Sequence, residues 1–140
     1  MNRQIEFRGK CIHTNKWIYG FLFIKEPPLV CLAECVREEP RYYIIQTGFA
    51  DWNMERPISL FEVNKETVGQ FTGLLDKNNK KIFEDDILKT NEANWIAKVI
   101  FHYDGFMLTG LDNAGFSCSP DYDKCEIIGN TIDGVKNVDN

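Results

Sequence analysis

Glu84-Asp85-Asp86, with Asp76 a short way upstream, forms the densest acidic group in the chain. Paired carboxylates can hold a divalent cation or divide general acid and base roles between them, so metal-dependent hydrolysis through Glu84 and Asp86 is one reading. Alternation weakens it, because an extended backbone points Glu84 and Asp86 to one side and Asp85 to the other. Acidic residues ahead of an apolar strand more often form a turn whose Asp side chain accepts nearby backbone N–H groups. The structural reading is therefore preferred, with no catalytic residue and no metal assigned.

The other reactive side chains are sparse. The five cysteines, Cys11, Cys31, Cys35, Cys118 and Cys125, are odd in number. Their spacings lack the close pairs that hold zinc, and His13 and His102 add no regular partner. A zinc site built from Cys31, Cys35, Cys118 and Cys125 is the minor alternative to scattered small apolar side chains in strands. No nucleophile elbow, phosphate-binding glycine loop, dinucleotide fingerprint or H-E-x-x-H helix occurs. The chain reads as a non-enzyme that needs no cofactor.

The run from Glu62 to Leu88 contains Glu66-Thr67-Val68-Gly69-Gln70-Phe71-Thr72-Gly73-Leu74 and Asp76-Lys77-Asn78-Asn79-Lys80-Lys81-Ile82-Phe83-Glu84-Asp85-Asp86-Ile87-Leu88. It resembles the signature of the YopX family. Lys65 stands where that pattern has Pro, and Asn79 and Asp85 stand at two of its glycines. Weaker likenesses flank it, in Ile5 to Lys10 with Trp17 to Tyr19, and in Glu126-Ile127-Ile128-Gly129-Asn130. The resemblance implies a small protein encoded by a prophage, a bacteriophage or its bacterial host, with a β-barrel in the C-terminal part and no assigned activity. It marks Gly69, Thr72, Gly73, Asp76, Glu84, Asp86, Gly129 and Asn130 as signature positions of structural kind and supplies no catalytic residue.

Length and composition bound the reading independently. A chain of 140 residues, 44% apolar and 26% charged, can fold as one compact unit or two small ones and is not wholesale disordered. The longest apolar stretch, Trp17 to Ile24, is too short to span a membrane, and the first residues lack a signal-peptide core. The sequence is read as cytoplasmic, in a bacterial host cell. Nine Lys/Arg balance nine Asp/Glu through residue 68, whereas seven face twelve beyond it, so the net charge of −5 sits in the second half. A duplex-DNA reader needs a basic surface, and none is visible.

The elements that position these groups read as β. Strands are expected at Ile5 to Arg8, Trp17 to Ile24, Arg41 to Thr47, Ser59 to Val63 and Thr67 to Thr72, then at Asp86 to Lys89, Trp95 to His102, Phe106 to Leu111 and Lys124 to Asn130. Val30 to Val36 reads as a strand or short helix, and Asn64 to Thr67 as a turn. Asp76 to Lys80 is a hairpin connection in which Asn79 takes the left-handed conformation; Asp85 needs the same if its glycine equivalent did. Asp104-Gly105 signals another hairpin. Trp95, Ala97, Val99 and Phe101 share the apolar face of their strand. The expected fold is mainly β with at most short helices: an N-terminal hairpin region over residues 1–66 and a small SH3-like or OB-like barrel over 67–140.

Binding is the remaining class. Eighteen aromatic residues must mostly fill the core, but Trp52, between Asp51 and Asn53 in the expected loop from Gly48 to Pro57, should be accessible. One hypothesis is an adaptor engaging a host or phage protein, or a homo-oligomer, through sheet edges and this loop. The alternative is a single-strand nucleic-acid binder combining aromatic side chains such as Tyr42 and Trp52 with Lys77, Lys80 and Lys81.

Overall fold

The computed structural model describes residues 2–28, 38–91, 94–113, 115–117 and 121–135. Val30 to Val36, with Cys31 and Cys35, lies outside the described residues. Backbone contacts divide the chain into two units, Glu6–Val68 and Gly69–Asn140 together with Met1–Ile5. Both are antiparallel β, as the turn spacing and β-branched runs imply. None of the described helices is long and apolar enough to cross a membrane.

In the Glu6–Val68 unit, β1 (Phe7–Lys10), β2 (Trp17–Lys25), β3 (Arg41–Thr47) and β4 (Ile58–Val63) pair in the order β4-β3-β2-β1. β1 lies slightly later than expected, while β3 matches. Register places Phe21 against Ile45 and Ile45 against Leu60, with Phe23 against Tyr43 on the same face. The opposite face carries buried Ile44 and Val63. Cys11 bridges to Val63, and the Ile12 amide donates to the Glu62 carbonyl at 3.1 Å, so β1 and β4 meet at one corner. A 3-10 turn, Lys65–Thr67, follows β4 and is capped by the Asn64 side chain, which accepts from the Glu66 amide.

The second unit opens with β5 (Gly69–Leu75) and β6 (Lys81–Phe83), a hairpin whose second strand is too short to show a period in the sequence. It continues through β7 (Asp86–Lys89), β8 (Ile96–His102), β9 (Gly105–Gly110), β10 (Phe116–Ser117), β11 (Glu126–Asn130) and β12 (Gly134–Val135). β7 to β12 pair in the order β10-β9-β8-β7-β11-β12. This is an open sheet. Among the described residues no pairing joins β10 to β12, so the closed SH3-like or OB-like barrel is not formed. Closure would require the two end strands to pair with a fixed stagger.

The core of this unit gathers Ile82, Leu88, Ala97, Val99, Leu108 and Cys125, with Trp95, Phe106, Tyr122 and Ile127 packed against it. Alternation along β8 thus holds for Trp95, Ala97 and Val99 and fails at Phe101, which is 52% exposed. Phe101 sits near the hairpin end, where it packs edge-on against its cross-strand partner Phe106 instead of the core. The hairpin turn itself falls one residue earlier than expected. His102 pairs with Gly105, leaving Tyr103 and Asp104 at the centre, and Tyr103 takes the positive φ of 54° while Gly105 begins the strand. Along β11 the register slips between Ile127 and Gly129, a β-bulge centred on Ile128.

Candidate functional site

The signature residues build turns. Thr72 donates its hydroxyl to the Ile82 carbonyl at 2.9 Å and accepts from the Leu74 amide at 3.2 Å. Gly73, at φ 88°, carries the irregularity that lets Phe71 pair with Phe83 and Leu75 with Lys81. Gly69 permits close approach, because a Cβ there would lie 2.8 Å from the Glu84 carbonyl oxygen.

Asp76 is 3% exposed. Its Oδ1 accepts from the amides of Asn78 at 2.8 Å and Lys80 at 2.9 Å, and its Oδ2 from the amide of Ile127 at 3.2 Å. Burial by itself raises the carboxyl pKa, but the Lys80, Ile127 and Asn78 amides and the Lys80 charge together hold it below the ordinary value. Asn79 at φ 60° and Asp85 at φ 68° occupy the left-handed conformation that their glycine counterparts imply. The Asp85 amide donates to the Val99 carbonyl, and its own carbonyl accepts from the Thr131 amide, each at 2.9 Å.

The acidic triplet is divided in the same way. Asp86 is 2% exposed and accepts the Phe83 amide at 2.8 Å. Glu84 lies against the Gln70 amide at 3.5 Å, and burial, offset by that amide and reinforced by the neighbouring Asp85 charge, raises its pKa. Each of the two carboxylates is thus engaged by a backbone amide of the β5–β6 hairpin, Asp86 by that of Phe83 and Glu84 by that of Gln70. Among the described residues, no three His, Cys, Asp or Glu side chains gather as a metal-binding group. Of the cysteines in the zinc alternative, Cys31, Cys35 and Cys118 lie outside the described residues. Cys125 is buried and donates its thiol to the Asp121 carbonyl at 3.4 Å.

A raised carboxyl pKa means that the folded state disfavours the ionised form, so Glu84 costs stability above its folded pKa and ceases to do so on acidification through it. Glu84→Gln should accordingly raise Tm at pH 7, with the gain shrinking as pH falls through the range where Glu84 takes up a proton. Thermal melts of both proteins across that range check the sign.

The lysines proposed for phosphate contact are differently engaged. Lys77 forms an ion pair with Glu126, and the Lys81 ammonium lies 5.4 Å from the Phe71 ring centroid. Lys80 is exposed at the turn and contributes its charge to Asp76. Tyr42 pairs with Val63 and faces the inner side of its sheet, half-buried. It therefore does not join Trp52, and its neighbour Tyr43 takes the outer side.

Trp52 is 94% exposed, and Phe49 and Met54 in the same loop are exposed too. The loop is closed at its base by the Gly48 amide, which donates to the Pro57 carbonyl at 2.7 Å. It springs from the outer face of β2, β3 and β4, where Tyr19, Phe21, Phe23, Ile58 and Leu60 are exposed beside half-buried Tyr43 and Ile45. Towards β1 that face is covered, since buried Arg8 lies 4.7 Å from the Trp17 ring centroid. This apolar face escapes sequence reasoning because Trp17 to Ile24 is apolar on both sides of the strand. The length of that run was the available signal, as a strand with one solvated face normally alternates.

No curated protein matches the sequence. A family model described as YopX protein matches residues 32–133, and so takes in the turn-building signature and the outer-face strands β3 and β4. The chain belongs to the YopX family.

Proposed function

We propose that this protein is a non-enzymatic binding or adaptor protein that engages another protein through the loop from Gly48 to Pro57 and the outer face of β2, β3 and β4. The observation that carries this reading is the exposure of Phe49, Trp52 and Met54 on one loop, next to an apolar sheet face. Soluble domains seldom expose contiguous apolar surface of this kind without using it, and Trp is the side chain most enriched among interface hot spots. The acidic balance of the second half suits a basic partner. The setting that the reading implies is the cytoplasm of a bacterial host carrying a mobile element.

Single-strand nucleic-acid binding has less support. It needs free cations beside accessible rings, whereas Lys77 is paired with Glu126, Lys81 packs on Phe71, and Trp52 is flanked by Asp51. Retention on single-stranded DNA at low salt that falls steeply with added salt would reverse this preference.

Trp52→Ala should leave the fold intact and weaken partner capture. We expect stability to change by no more than about 0.5 kcal/mol and affinity for the captured protein to fall roughly tenfold or more. Tyr103→Ala, which removes an equally exposed ring from the other unit, serves as the control. Affinity capture from host cells with all three proteins, followed by identification of the bound chain, makes the comparison. Equal capture by wild type and Trp52→Ala would remove the loop from the interface.

A further inference from the structure

Register maps the outer face of β2, β3 and β4 row by row. Lys25 and Arg41 stand side by side at one end, followed by Phe23, Tyr43 and Glu62, then by Phe21, Ile45 and Leu60, then by Thr47 and Ile58. Tyr19 lies two residues before Phe21 on the same side of β2, and the loop from Gly48 to Pro57 prolongs the face past Thr47 and Ile58. Tyr19, Phe21, Phe23, Ile58 and Leu60 are between 42% and 66% exposed, and Phe49, Trp52 and Met54 between 70% and 94%. Together they leave roughly 1,000 Å² of mostly apolar surface in water, above the roughly 800 Å² that each partner contributes to a stable interface. A sheet with a second apolar face needs another layer on it. The charges lie at the two ends. Arg41 hydrogen-bonds Tyr43 and faces Glu62, so Lys25 is the base that a partner meets there. At the other end the loop carries Asp51 and Glu55 against Arg56. A strip that is neutral in the middle, basic at one end and acidic at the other complements itself when turned end for end.

We infer that this face is covered by the same face of a second copy of this chain, the two sheets stacked about a two-fold axis that crosses β3 at Ile45. The inference rests on reading this surface as a binding site, and it names the occupant. Stacked sheets lie about 10 Å apart with their strand directions within about 30° of each other. The rotation sets the Phe21, Ile45 and Leu60 row of each copy on its counterpart and turns Phe23 of each towards Tyr19 of the other. It also brings Lys25 of each copy towards Asp51 and Glu55 of the other, so that this contact forms twice. No sheet edge takes part, and the hydrogen bond from the Ile12 amide to the Glu62 carbonyl at the β4 corner is undisturbed. A foreign partner of one sign gains attraction at one end of the face and repulsion at the other, whereas a second copy gains attraction at both.

Sedimentation equilibrium on the full chain tests the stacking. Wild type should dimerise reversibly across the micromolar range. Phe21→Glu puts a carboxylate of each copy into the apolar centre and should raise the dimer Kd roughly a hundredfold, with a thermal melt to check that the monomer stays folded. Tyr103→Glu, on the other unit, should leave the Kd unchanged. Lys25→Glu in one protein, and Asp51→Lys with Glu55→Lys in another, each bring like charges together at both ends and should each raise the Kd roughly tenfold. An equimolar mixture of these two proteins restores opposite charges and should recover wild-type association as a heterodimer, a result that a fault within either monomer cannot produce. A monomer at every concentration, a dimer indifferent to Phe21→Glu, an equal loss in Tyr103→Glu, or a mixture no tighter than its components would overturn the proposal. A monomer that still loses its partner on Trp52→Ala would sink the dimer and leave the adaptor reading standing. A dimer with these sensitivities whose capture of other proteins ignores Trp52 would do the reverse.

Discussion

Asp76→Ala should destabilise the protein by about 3 kcal/mol, which for a chain of this size lowers Tm by roughly 10 °C. The carboxylate takes three backbone N–H groups from inside a site that is 3% exposed, and alanine leaves the Ile127 amide in particular without an acceptor. Asp76→Asn should fall between the two proteins. Its amide oxygen can still serve Asn78 and Lys80, but its NH2 group then faces the Ile127 N–H. The effect carries a pH signature of definite sign. Asp76 has a folded pKa below its unfolded value, so its contribution is fully present above the unfolded pKa of about 3.9 and is lost as pH falls through the folded pKa. The gap between wild type and Asp76→Ala should be wide at pH 7 and narrow in acid; the Glu84→Gln gap narrows in acid too but has the opposite sign, because there the variant is the more stable protein. Urea unfolding at a series of pH values measures it. A gap of the same size in strong acid would show that the ionised carboxylate is not what holds the turn.

Gly129→Ala should cost a similar amount, about 3 kcal/mol, the upper part of the range for overpacking. A Cβ at this position would sit 2.3 Å from the Gly134 carbonyl oxygen and 2.8 Å from the Val135 Cα. Both obstacles are backbone, so no side chain can swing aside. Relief requires β12 to leave β11, at the turn where the Asn130 side chain accepts from the Ile132 and Asp133 amides. Gly105→Ala, with nothing near the added carbon and no positive φ, should change stability by no more than about 0.5 kcal/mol. Urea midpoints of the two variants test the contrast, and hydrogen exchange should quicken across Glu126 to Val135 only in Gly129→Ala.

Much of the local structure was legible because local chemistry decides it. Arg41 to Thr47 is a strand at the residues its aromatic and β-branched content indicates, and Asn79 and Asp85 take positive φ where the signature pattern has glycine. What the sequence does not encode locally is which strands become neighbours. β7 pairs with β8 beside it in the chain and also with β11, beyond β8, β9 and β10, and nothing in the residues of β7 announces that second partner. Short elements escape for a related reason: three residues of β6 and two of β12 are too few to show a period.

The apparent site followed the same division. Trp52 was accessible as its flanking polar residues suggest, yet Tyr42 and Tyr43, adjacent and chemically alike, differ only in which side of β3 they face. An uninterrupted apolar strand such as β2 gives no clue to its outward side. The acidic triplet looked reactive as a string of letters. Its place ahead of an apolar strand already favours a turn with an Asp side chain accepting backbone N–H groups; what the sequence cannot name is the donor, the Phe83 amide on Asp86.

The turn between β5 and β6 spans few residues, yet the Asp76 carboxylate and the Lys77 amide are both fastened to β11, through Ile127 and through the Cys125 carbonyl at 2.9 Å. A bend that is local on paper is thus completed by residues from the far end of the unit. Loop-closure entropy must be met before that late strand can dock, which makes this half slow to assemble relative to its own hairpins. A nascent chain halted before Cys125 would hold β7 with one edge unmatched, a species prone to clump and dependent on chaperones until the remaining residues emerge.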